Sequence, residues 1–296
     1  MDPANIFADP RTRNVREDFT IDQDWDAYSD EQHGTWDILY ERQMQCLPGR
    51  ACDQFMQGLK ALDLGRGGIP DFEKINAELL KLTGWQVVAV PCLVPDDVFF
   101  THLANRRFPA GNFIRNRDQL DYIQEPDVFH DVFGHVPMLT DPVFADYMEA
   151  YGKGGLRALG FDRLKALASL YWYTVEFGLI NTPKGMRIYG AGIVSSNRES
   201  VFALEARSPN RIHFDLERVM RTDYRIDDFQ QTYFVNASFD ELFRSTVDTD
   251  FGPLYERLNP CFDFTPTAAL ETDRIYTRGT QEYARAGGRK HDVKPV

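Results

Sequence analysis

The 296-residue sequence has few cysteines and no long apolar run, and both shortages exclude classes of protein. Its four cysteines, Cys46, Cys52, Cys92 and Cys261, form no CxxC pair, so neither a cysteine zinc cluster nor a dense disulfide framework is expected. The most apolar stretch, VVAVPCLVP at 87–95, is too short to span a membrane and is interrupted by proline. The N-terminal residues lack the apolar core of a signal peptide. We therefore predict a cytoplasmic protein with reduced thiols and no membrane partner.

Positive charge is also scarce, because 33 Lys and Arg stand against 45 Asp and Glu, giving a net charge of −12. A general nucleic-acid-binding protein draws its affinity from excess Lys and Arg, so no nucleic-acid partner is expected. The glycine-rich stretch LGRGGIP at 64–70 follows no predicted strand and lacks the GxGxxG spacing, which favours a loop over a nucleotide site. A chain of this length can nevertheless bury a substantial core.

The hydrophobic pattern predicts one predominantly α-helical domain with small β elements, an α+β fold. Residues 1–28 show no sustained periodicity and are interpreted as an irregular tail, residues 29–261 as the folded domain, and residues 262–296 as a partly irregular extension. A capping box of Ser29 and Gln32 opens the first helix. Further helices are predicted at about 51–62 and 71–82, from Pro95 through 108, from Pro126, and at 142–151 and 161–180.

Turn and strand signals divide these helices. WQVVAVP at 85–91 and TYFV at 232–235 are typical of short buried strands, and RIYGAGIVSS at 187–196 has strand and turn character. The glycines of YGKGG are expected to end the 142–151 helix. The SFDE sequence at 238–241 repeats the capping-box pattern and is expected to open the last helix.

The motif EPDVFHDVFGHVP at 125–137 holds two of the six histidines, His130 and His135. On a continuous α-helix, residues five apart differ by about 140° around the axis and would not share a face. Either the pair is accidental, or the helix ends between the two histidines so that the second imidazole turns back toward the first. Gly134 and Pro137 are residue types that end helices, which favours the second interpretation.

A third metal ligand is available in LYWYTVEFGLI at 170–180, where Glu176 is the single acidic or basic residue, tyrosines aside. A carboxylate in so apolar a segment stays protonated, pairs with a cation or binds a metal. Together with His130 and His135 it has the composition of the two-histidine, one-carboxylate iron site. Composition and spacing alone leave a simpler alternative open, in which the histidines are hydrogen-bonded core residues and Glu176 pairs with Arg187 or Arg211.

Other metal motifs do not fit. The sequence contains neither HExxH nor HxxEH, the patterns of zinc proteases. The HxD motif of oxoglutarate-dependent oxygenases is excluded as well, because Val132 stands where its aspartate would be.

Three motifs in this order, DYIQEPDVFHDVFGHVP, YWYTVEFGLI and RIYGAGIVSS, closely resemble the catalytic domain of the pterin-dependent aromatic amino acid hydroxylases, especially bacterial members. The resemblance runs from about Thr35 to about Val247. It implies a single catalytic domain with iron held by His130, His135 and Glu176. It also implies a pterin site at Val94, Phe99 and Asp131 and a substrate site at Arg115, Asp127, Trp172, Phe177, Gly192, Ser195 and Val235.

The resemblance also implies individual roles. Arg115 would hold the substrate carboxylate through a bidentate contact, with Asp127 bracing it. Tyr171 would lie close to the iron, and Ser195 would hydrogen-bond a ligand histidine and fix its orientation. Without the resemblance, Arg115 would pass as a solvated charge and the aromatic residues as core.

Departures from the family pattern modify these expectations. Asp131 stands where animal members have glutamate, and Ile123 replaces a threonine close to the substrate backbone in those members. Neither the N-terminal regulatory domain nor the C-terminal tetramerising helix of the animal enzymes is expected, which favours a monomer. Val235 matches a position where tyrosine hydroxylases have aspartate, so an unsubstituted phenyl ring is the expected substrate group.

The resemblance therefore implies hydroxylation of L-phenylalanine to L-tyrosine, with Fe(II) as cofactor and tetrahydrobiopterin and O2 as cosubstrates. Hydroxylation of tryptophan or tyrosine by the same mechanism is the nearest alternative. A metal-dependent hydrolase that uses the same three ligands to activate water is a second alternative. A third is a non-catalytic protein that keeps an aromatic pocket.

Overall fold

A computed structural model describes residues 15–258 and 263–287 of the chain. It is predominantly helical with small sheets, as the sequence predicts. The chain folds into two compact units. The first unit contains residues up to Gln45 together with Asp53–Arg157, and the second contains Cys46–Cys52 together with residues from Ala158 onward.

The first unit surrounds a two-stranded parallel sheet with helices. Its strands are β1 (Gln86–Val90) and β2 (Arg107–Gly111), in register from Gln86 opposite Arg107. Its regular helices are α1 (Asp30–Cys46), α2 (Asp53–Ala61), α3 (Phe72–Leu82), α4 (Asp96–Ala104) and α5 (Pro142–Leu159). The strand at 85–91 and the helices near 51–62 and 71–82 are thereby confirmed.

The helix from Pro95 is shorter than the sequence predicts. It ends at Ala104, and Arg106 takes a left-handed backbone conformation with φ 53°, which a helix cannot continue through. The guanidinium of Arg106 donates to the Thr83 carbonyl and to Glu149, which holds this turn in place. Pro109 lies in β2, where a proline is tolerated because a two-stranded sheet has only edge strands.

Helix α5 continues through the glycines that were expected to end it, so that prediction is wrong. A Cβ at Gly152 would lie 2.4 Å from the Ala104 backbone nitrogen, and a Cβ at Gly155 would lie 2.0 Å from the Phe100 ring. Gly152 therefore allows α5 to contact the backbone of α4, and Gly155 leaves room for the Phe100 ring. The need for glycine at these two positions comes from contacts with a helix some fifty residues earlier in the chain. The local sequence around the glycines gives no sign of these contacts.

Replacing Gly152 by alanine should lower the free energy of unfolding by about 1–3 kcal/mol, since overpacking at a backbone contact cannot relax easily. Gly154 is the matched control in the same helix, because nothing lies within 4 Å of its added Cβ. Gly154→Ala should raise stability by about 0.5–1 kcal/mol through helix propensity. Urea unfolding of both variants measures the difference. Equal effects would show that the contact with α4 is not tight.

The second unit contains a five-stranded mixed sheet in the order β4-β3-β6-β5-β7. Its central strand β6 has every residue buried, which confirms the strand predicted at TYFV. The strands are β3 (Leu179–Thr182), β4 (Gly185–Ile188), β5 (Asn210–His213), β6 (Thr232–Asn236) and β7 (Ile275–Thr277). Its helices are α6 (Leu164–Tyr171), α7 (Ala191–Val194), α8 (Asn197–Glu205), α9 (Leu216–Met220), α10 (Phe239–Val247), α11 (Phe251–Arg257) and α12 (Glu282–Arg285).

Both predicted capping signals are present, but two helix ends differ from prediction. Ser29 and Gln32 exchange backbone-to-side-chain hydrogen bonds at 2.8 and 3.3 Å, and Ser238 accepts from the Glu241 N–H at 3.0 Å. The helix after Ser238 is not the last, because α11 and α12 follow it. The apolar helix expected over 161–180 ends at Glu176, and Leu179 already belongs to β3.

The described parts of the two segments that flank the predicted domain, residues 15–28 and 263–287, are hydrogen-bonded to it. In the first unit, residues 15–28 form a 3-10 turn at Trp25–Ala27 and little other regular structure, and Ile21 N–H donates to the Ala89 carbonyl. In the second unit, β7 pairs with β5. Cys46, Cys52 and Cys92 are buried, reduced thiols, whereas Cys261 lies outside the described residues. Within the described ranges, no helix is long and apolar enough to cross a bilayer.

Candidate active site

The histidine motif is wound as a π-helix, Phe129–His135, inside the first unit. In a π-helix each N–H bonds the carbonyl five residues back, so residues five apart come to lie one above the other. The expected helix break between His130 and His135 is therefore wrong: the wider winding brings the imidazoles together, and a 3-10 turn begins only at Val136. The helix also begins later than Pro126, because the Asp127 carboxylate accepts from the His130 N–H at 3.0 Å.

The two imidazoles converge on one point. Their Nε2 atoms are 3.3 Å apart, with the rings inclined at 81°. His135 is buried against Phe108 at a ring-centroid distance of 4.9 Å, and His130 is half-buried. Two ring nitrogens that face each other at this distance share either a proton or a cation. The donor set therefore fits a metal that accepts imidazole nitrogen, such as iron.

Asp131 lies beside the two histidines. Within the described ranges, one ligand atom each from His130, Asp131 and His135 lies within 4.8 Å of the others. The Asp131 Oδ2 accepts from the Gly111 N–H at 2.7 Å, at the end of β2. Burial raises the pKa of this carboxyl to about 6, although the histidines and the Gly111 N–H act in the opposite direction. The family resemblance assigns Asp131 to the pterin, and the fold brings its carboxylate close to the imidazole of His135 as well as to that of its neighbour His130.

Arg115 and Asp127 form a buried, bidentate ion pair. Arg115 Nε donates to Asp127 Oδ2 and its Nη2 to Oδ1, both at 2.8 Å, and the Arg115 N–H adds a third bond at 2.9 Å. The same carboxylate accepts from His130, so one aspartate joins the arginine to the histidine-bearing helix. Burial alone would raise the pKa of Asp127, but the bonds and charge of Arg115 outweigh it and hold that pKa below its usual range.

Two further residues predicted for the pterin lie around the start of α4. Val94 precedes this helix and Phe99 lies in its first half, and both are half-buried. The Phe99 ring lies 5.8 Å from that of Phe100 at 65°. Their role in binding a pterin stays a prediction.

In the second unit, a further π-helix, Trp172–Glu176, follows α6 directly. Glu176 is its last residue and is half-buried, so it is less enclosed than its apolar sequence suggests. The backbone around it is tightly packed, because a Cβ at Gly190 would lie 2.5 Å from the Glu176 carbonyl oxygen and one at Gly192 would lie 3.1 Å from it. π-turns occur often at functional sites, and both segments predicted to supply ligands contain one.

Aromatic rings cluster at the start of this second π-helix, where Tyr171 is the last residue of α6. The Trp172 ring stacks on Tyr224 at 4.7 Å and 21°, and lies 4.8 Å from Phe177. Trp172 Nε1 donates to Gln230 Oε1 at 3.0 Å. Sequence reasoning missed Tyr224 and Gln230, because neither stands in a recognisable motif.

The other predicted residues of this unit have simpler surroundings. Ser195 Oγ donates to the Ala191 carbonyl at 2.7 Å, and Val235 is fully buried in β6. Arg211, the alternative partner for Glu176, donates instead to the carbonyls of Phe202, Ala203 and Ala206. Arg187 donates to the Met186 carbonyl, so neither arginine lends support to the ion-pair alternative.

Residues 22–251 match the family model described as biopterin-dependent aromatic amino acid hydroxylase. The chain is 68% identical over 275 residues to phenylalanine-4-hydroxylase of Caulobacter vibrioides, covering 93% of each protein. Among solved structures, it resembles the iron- and phenylalanine-bound phenylalanine hydroxylase of Chromobacterium violaceum with a TM-score of 0.84 and 56% identity, covering 88% of this chain and 94% of that one.

A second structure of the Chromobacterium violaceum protein contains iron(III) and oxidised 7,8-dihydrobiopterin. This chain matches it with a TM-score of 0.85 and 56% identity, covering 90% of this chain and 98% of that one.

Proposed function

Because the chain belongs to the biopterin-dependent aromatic amino acid hydroxylase family, we propose that it is a non-haem iron(II) monooxygenase that converts L-phenylalanine to L-tyrosine. Tetrahydrobiopterin or a related tetrahydropterin and O2 are its cosubstrates. The observation that carries the proposal is the pair of convergent imidazoles of His130 and His135, within a motif of that family. Relatives named for this activity match nearly the whole chain.

The iron ligands are His130, His135 and Glu176. The facing Nε2 atoms of the histidines support the first two, and the family motif supports the third. When bound, iron and pterin supply the activation of O2, a redox reaction for which protein side chains have no equivalent. Two neutral imidazoles and one carboxylate leave the remaining coordination positions for ligands other than the protein. Ser195 and Tyr171 are proposed as residues close to this centre.

Substrate binding combines a contact with a charged side chain and contacts with aromatic side chains. Arg115 holds the substrate carboxylate, and Asp127 keeps its guanidinium in a fixed plane through two bonds of 2.8 Å. Trp172 and Phe177 border the phenyl ring, and Gly192 lies against Phe177. Val94, Phe99 and Asp131 form the pterin site. These residues orient both molecules and exclude water, which is the contribution expected of the protein in a cofactor enzyme.

Phenylalanine is the preferred substrate among the aromatic amino acids. Val235 offers no hydrogen-bond partner for a ring hydroxyl, and it is fully buried. The names of the relatives support the same choice. Hydroxylation of tyrosine or tryptophan is the alternative that a substrate comparison tests.

The purified protein, supplied with Fe(II), tetrahydrobiopterin and O2, should convert phenylalanine to tyrosine, and each component should be required. Tyrosine is measured by chromatography, with tyrosine and tryptophan as competing substrates. An assay without O2 is the control, because a hydrolase that uses the same ligands would keep its turnover. The absence of tyrosine at every iron loading would refute the proposal.

We also propose that the chain is a cytoplasmic monomer. The free, buried thiols of Cys46, Cys52 and Cys92 support a reducing compartment. Size-exclusion chromatography with light scattering should give one mass near 34.1 kDa. A mass twice as large would replace the monomer with a dimer.

A further inference from the structure

A buried glutamine holds the indole of Trp172 at the aromatic cluster. Gln230 is 1% exposed, and its Oε1 accepts the Trp172 Nε1–H at 3.0 Å. Its Nε2 donates to the Arg225 carbonyl at 2.7 Å and to the Asp228 carbonyl at 3.3 Å. The amide therefore cannot rotate without losing these bonds, which fixes the direction in which its oxygen points.

The backbone of Gln230 is anchored in turn. Its N–H donates to Glu199 Oε1 at 3.2 Å, and the Tyr233 hydroxyl donates to the same oxygen. Glu199 and Tyr233 are fully buried, so these bonds form in a medium of low dielectric constant, where they are strong. The anchor lies wholly within the second unit.

A segment close to the C-terminus braces the same stretch of chain from the other side. The Tyr283 hydroxyl donates to Asp228 Oδ1 at 2.7 Å, and Gln281 Nε2 donates to the Gln231 carbonyl at 3.0 Å. The Tyr283 ring lies 5.5 Å from that of Phe229. These contacts flank Gln230 on both sides in sequence.

This bracing segment, Gly279–Tyr283, is called the brace, and it is hydrogen-bonded to residues at and next to strand β5. Gly279 N–H donates to Asn210 Oδ1 at 2.9 Å, and Gln281 N–H donates to the Ser208 carbonyl at 2.9 Å. A Cβ at Gly279 would lie 2.1 Å from the Ser208 carbonyl oxygen, so the approach requires glycine. The family model matches only residues 22–251, and the brace lies beyond that range.

We propose that Gln230 is a positioning residue for the substrate ring, acting through the indole of Trp172, and that the segment Gly279–Tyr283 holds Gln230 in place. This inference rests on the proposed function, in which Trp172 borders the phenyl ring. Trp172 stacks on Tyr224 and meets Phe177 at a tilt of 37°. Ring contacts of this kind are weakly directional within the plane of the indole, and the bond from Nε1 to Gln230 fixes that direction. The device makes substrate binding depend on a segment that contains none of the proposed ligands.

Gln230→Leu keeps the approximate size of the side chain but removes its three hydrogen bonds, including the acceptor for the Trp172 indole. It should raise KM for phenylalanine roughly three- to tenfold while kcat changes less, because the indole is no longer held in place. Tyr283→Phe should raise KM in the same direction by about twofold or more. Tyr276→Phe is the matched control: it removes a tyrosine hydroxyl from β7, which precedes the segment Gly279–Tyr283, and its ring stacks on His213. We expect that variant to keep the wild-type KM.

A double-mutant cycle separates positioning from general destabilisation. In a Trp172→Phe background there is no indole N–H, so Gln230→Leu should add little to KM. An equal effect in both backgrounds would overturn the inference, as would a wild-type KM in both Gln230→Leu and Tyr283→Phe. If Gln230→Leu does not fold, Tyr283→Phe decides the matter against Tyr276→Phe.

A spectroscopic measurement tests the inference without activity. The near-UV circular dichroism of Trp172 is defined as the difference between wild type and Trp172→Phe. This signal should weaken in Tyr283→Phe and stay unchanged in Tyr276→Phe. A weakened signal in a protein that makes no tyrosine would refute the proposed function and leave the brace intact. An unchanged signal and KM in an active protein would refute the brace alone.

Discussion

Glu176→Ala should lose iron and abolish tyrosine formation, lowering turnover by more than about a hundredfold, since even outer-shell partners of metal ligands contribute ~10- to 100-fold. The substitution removes the single carboxylate of the proposed ligand set and leaves two neutral imidazoles, which bind a divalent cation weakly. Iron content after reconstitution and equilibrium dialysis measures the loss, and tyrosine formation is followed in parallel.

Glu205→Ala is the control for the loss of a carboxylate in the same unit. Glu205 is half-exposed in its ion pair with Arg50, so its removal should change stability by no more than about 1 kcal/mol. That variant should keep its iron and its turnover. Normal iron content and near-normal activity in Glu176→Ala would remove the glutamate from the metal site.

Asp127→Ala should be the most destabilising of the proposed site substitutions. It leaves the Arg115 guanidinium, 7% exposed, without its buried counter-ion, and breaking a buried pair in this way costs about 3–5 kcal/mol. It also removes the acceptor for the His130 N–H at the start of the π-helix. We therefore expect weaker binding of both phenylalanine and iron. Urea unfolding, KM and iron content measure the three effects.

Two comparisons make the result of this experiment specific. Asp127→Asn keeps the shape of the side chain and one acceptor oxygen, so it should lose less stability than alanine while still raising KM. Asp146→Ala removes a more exposed partner of Arg106 in the same unit and should cost no more than about 1 kcal/mol. Equal decreases in the free energy of unfolding of Asp127→Ala and Asp146→Ala would show that the buried ion pair stabilises the fold no more than the exposed one.

The Asp127 ion pair also predicts a pH dependence. The folded state holds the pKa of this carboxyl below its usual value of 3.8, so its contribution to stability is complete above the pKa of the unfolded chain. The contribution is lost as the pH falls through the lower, folded pKa, below about 4. The difference in unfolding free energy between wild type and Asp127→Asn should therefore be constant near neutral pH and shrink in acid. A difference that grows in acid would contradict this assignment.

Local signals predicted much of the fold. Capping residues depend on side chains within four positions of the helix start, which is why Ser29 and Ser238 were identified correctly. The buried strands β1 and β6 were found for a similar reason, since a short apolar run bounded by turns needs no distant information. Strand β2 escaped notice because its sequence, RFPAG, contains a proline and lies directly after a helix.

Sequence-based predictions failed where the role of a residue depends on a contact with a residue distant in the chain. Gly152 and Gly155 have the composition of a helix end, but their contacts with Leu103 and Phe100 make them part of a helix interior. Gln230 lies in no motif and gains its role only because Trp172 and the C-terminal segment meet it in space. Burial and a directed hydrogen bond identify such a residue, and neither is visible in one-dimensional spacing.

The sequence by itself determined the identity of the candidate ligands and the family, because imidazole, carboxylate and guanidinium chemistry is a property of residue type and order. The tertiary structure decided how His130 and His135 come together. Their spacing of five residues conflicts with an α-helix, and the sequence suggested a break. The fold instead widens the helix to i→i+5 bonding, with Phe129, Val132 and Phe133 fully buried around it. Packing of these side chains offsets the cost of the less favourable winding, and that balance exists only once the core has formed.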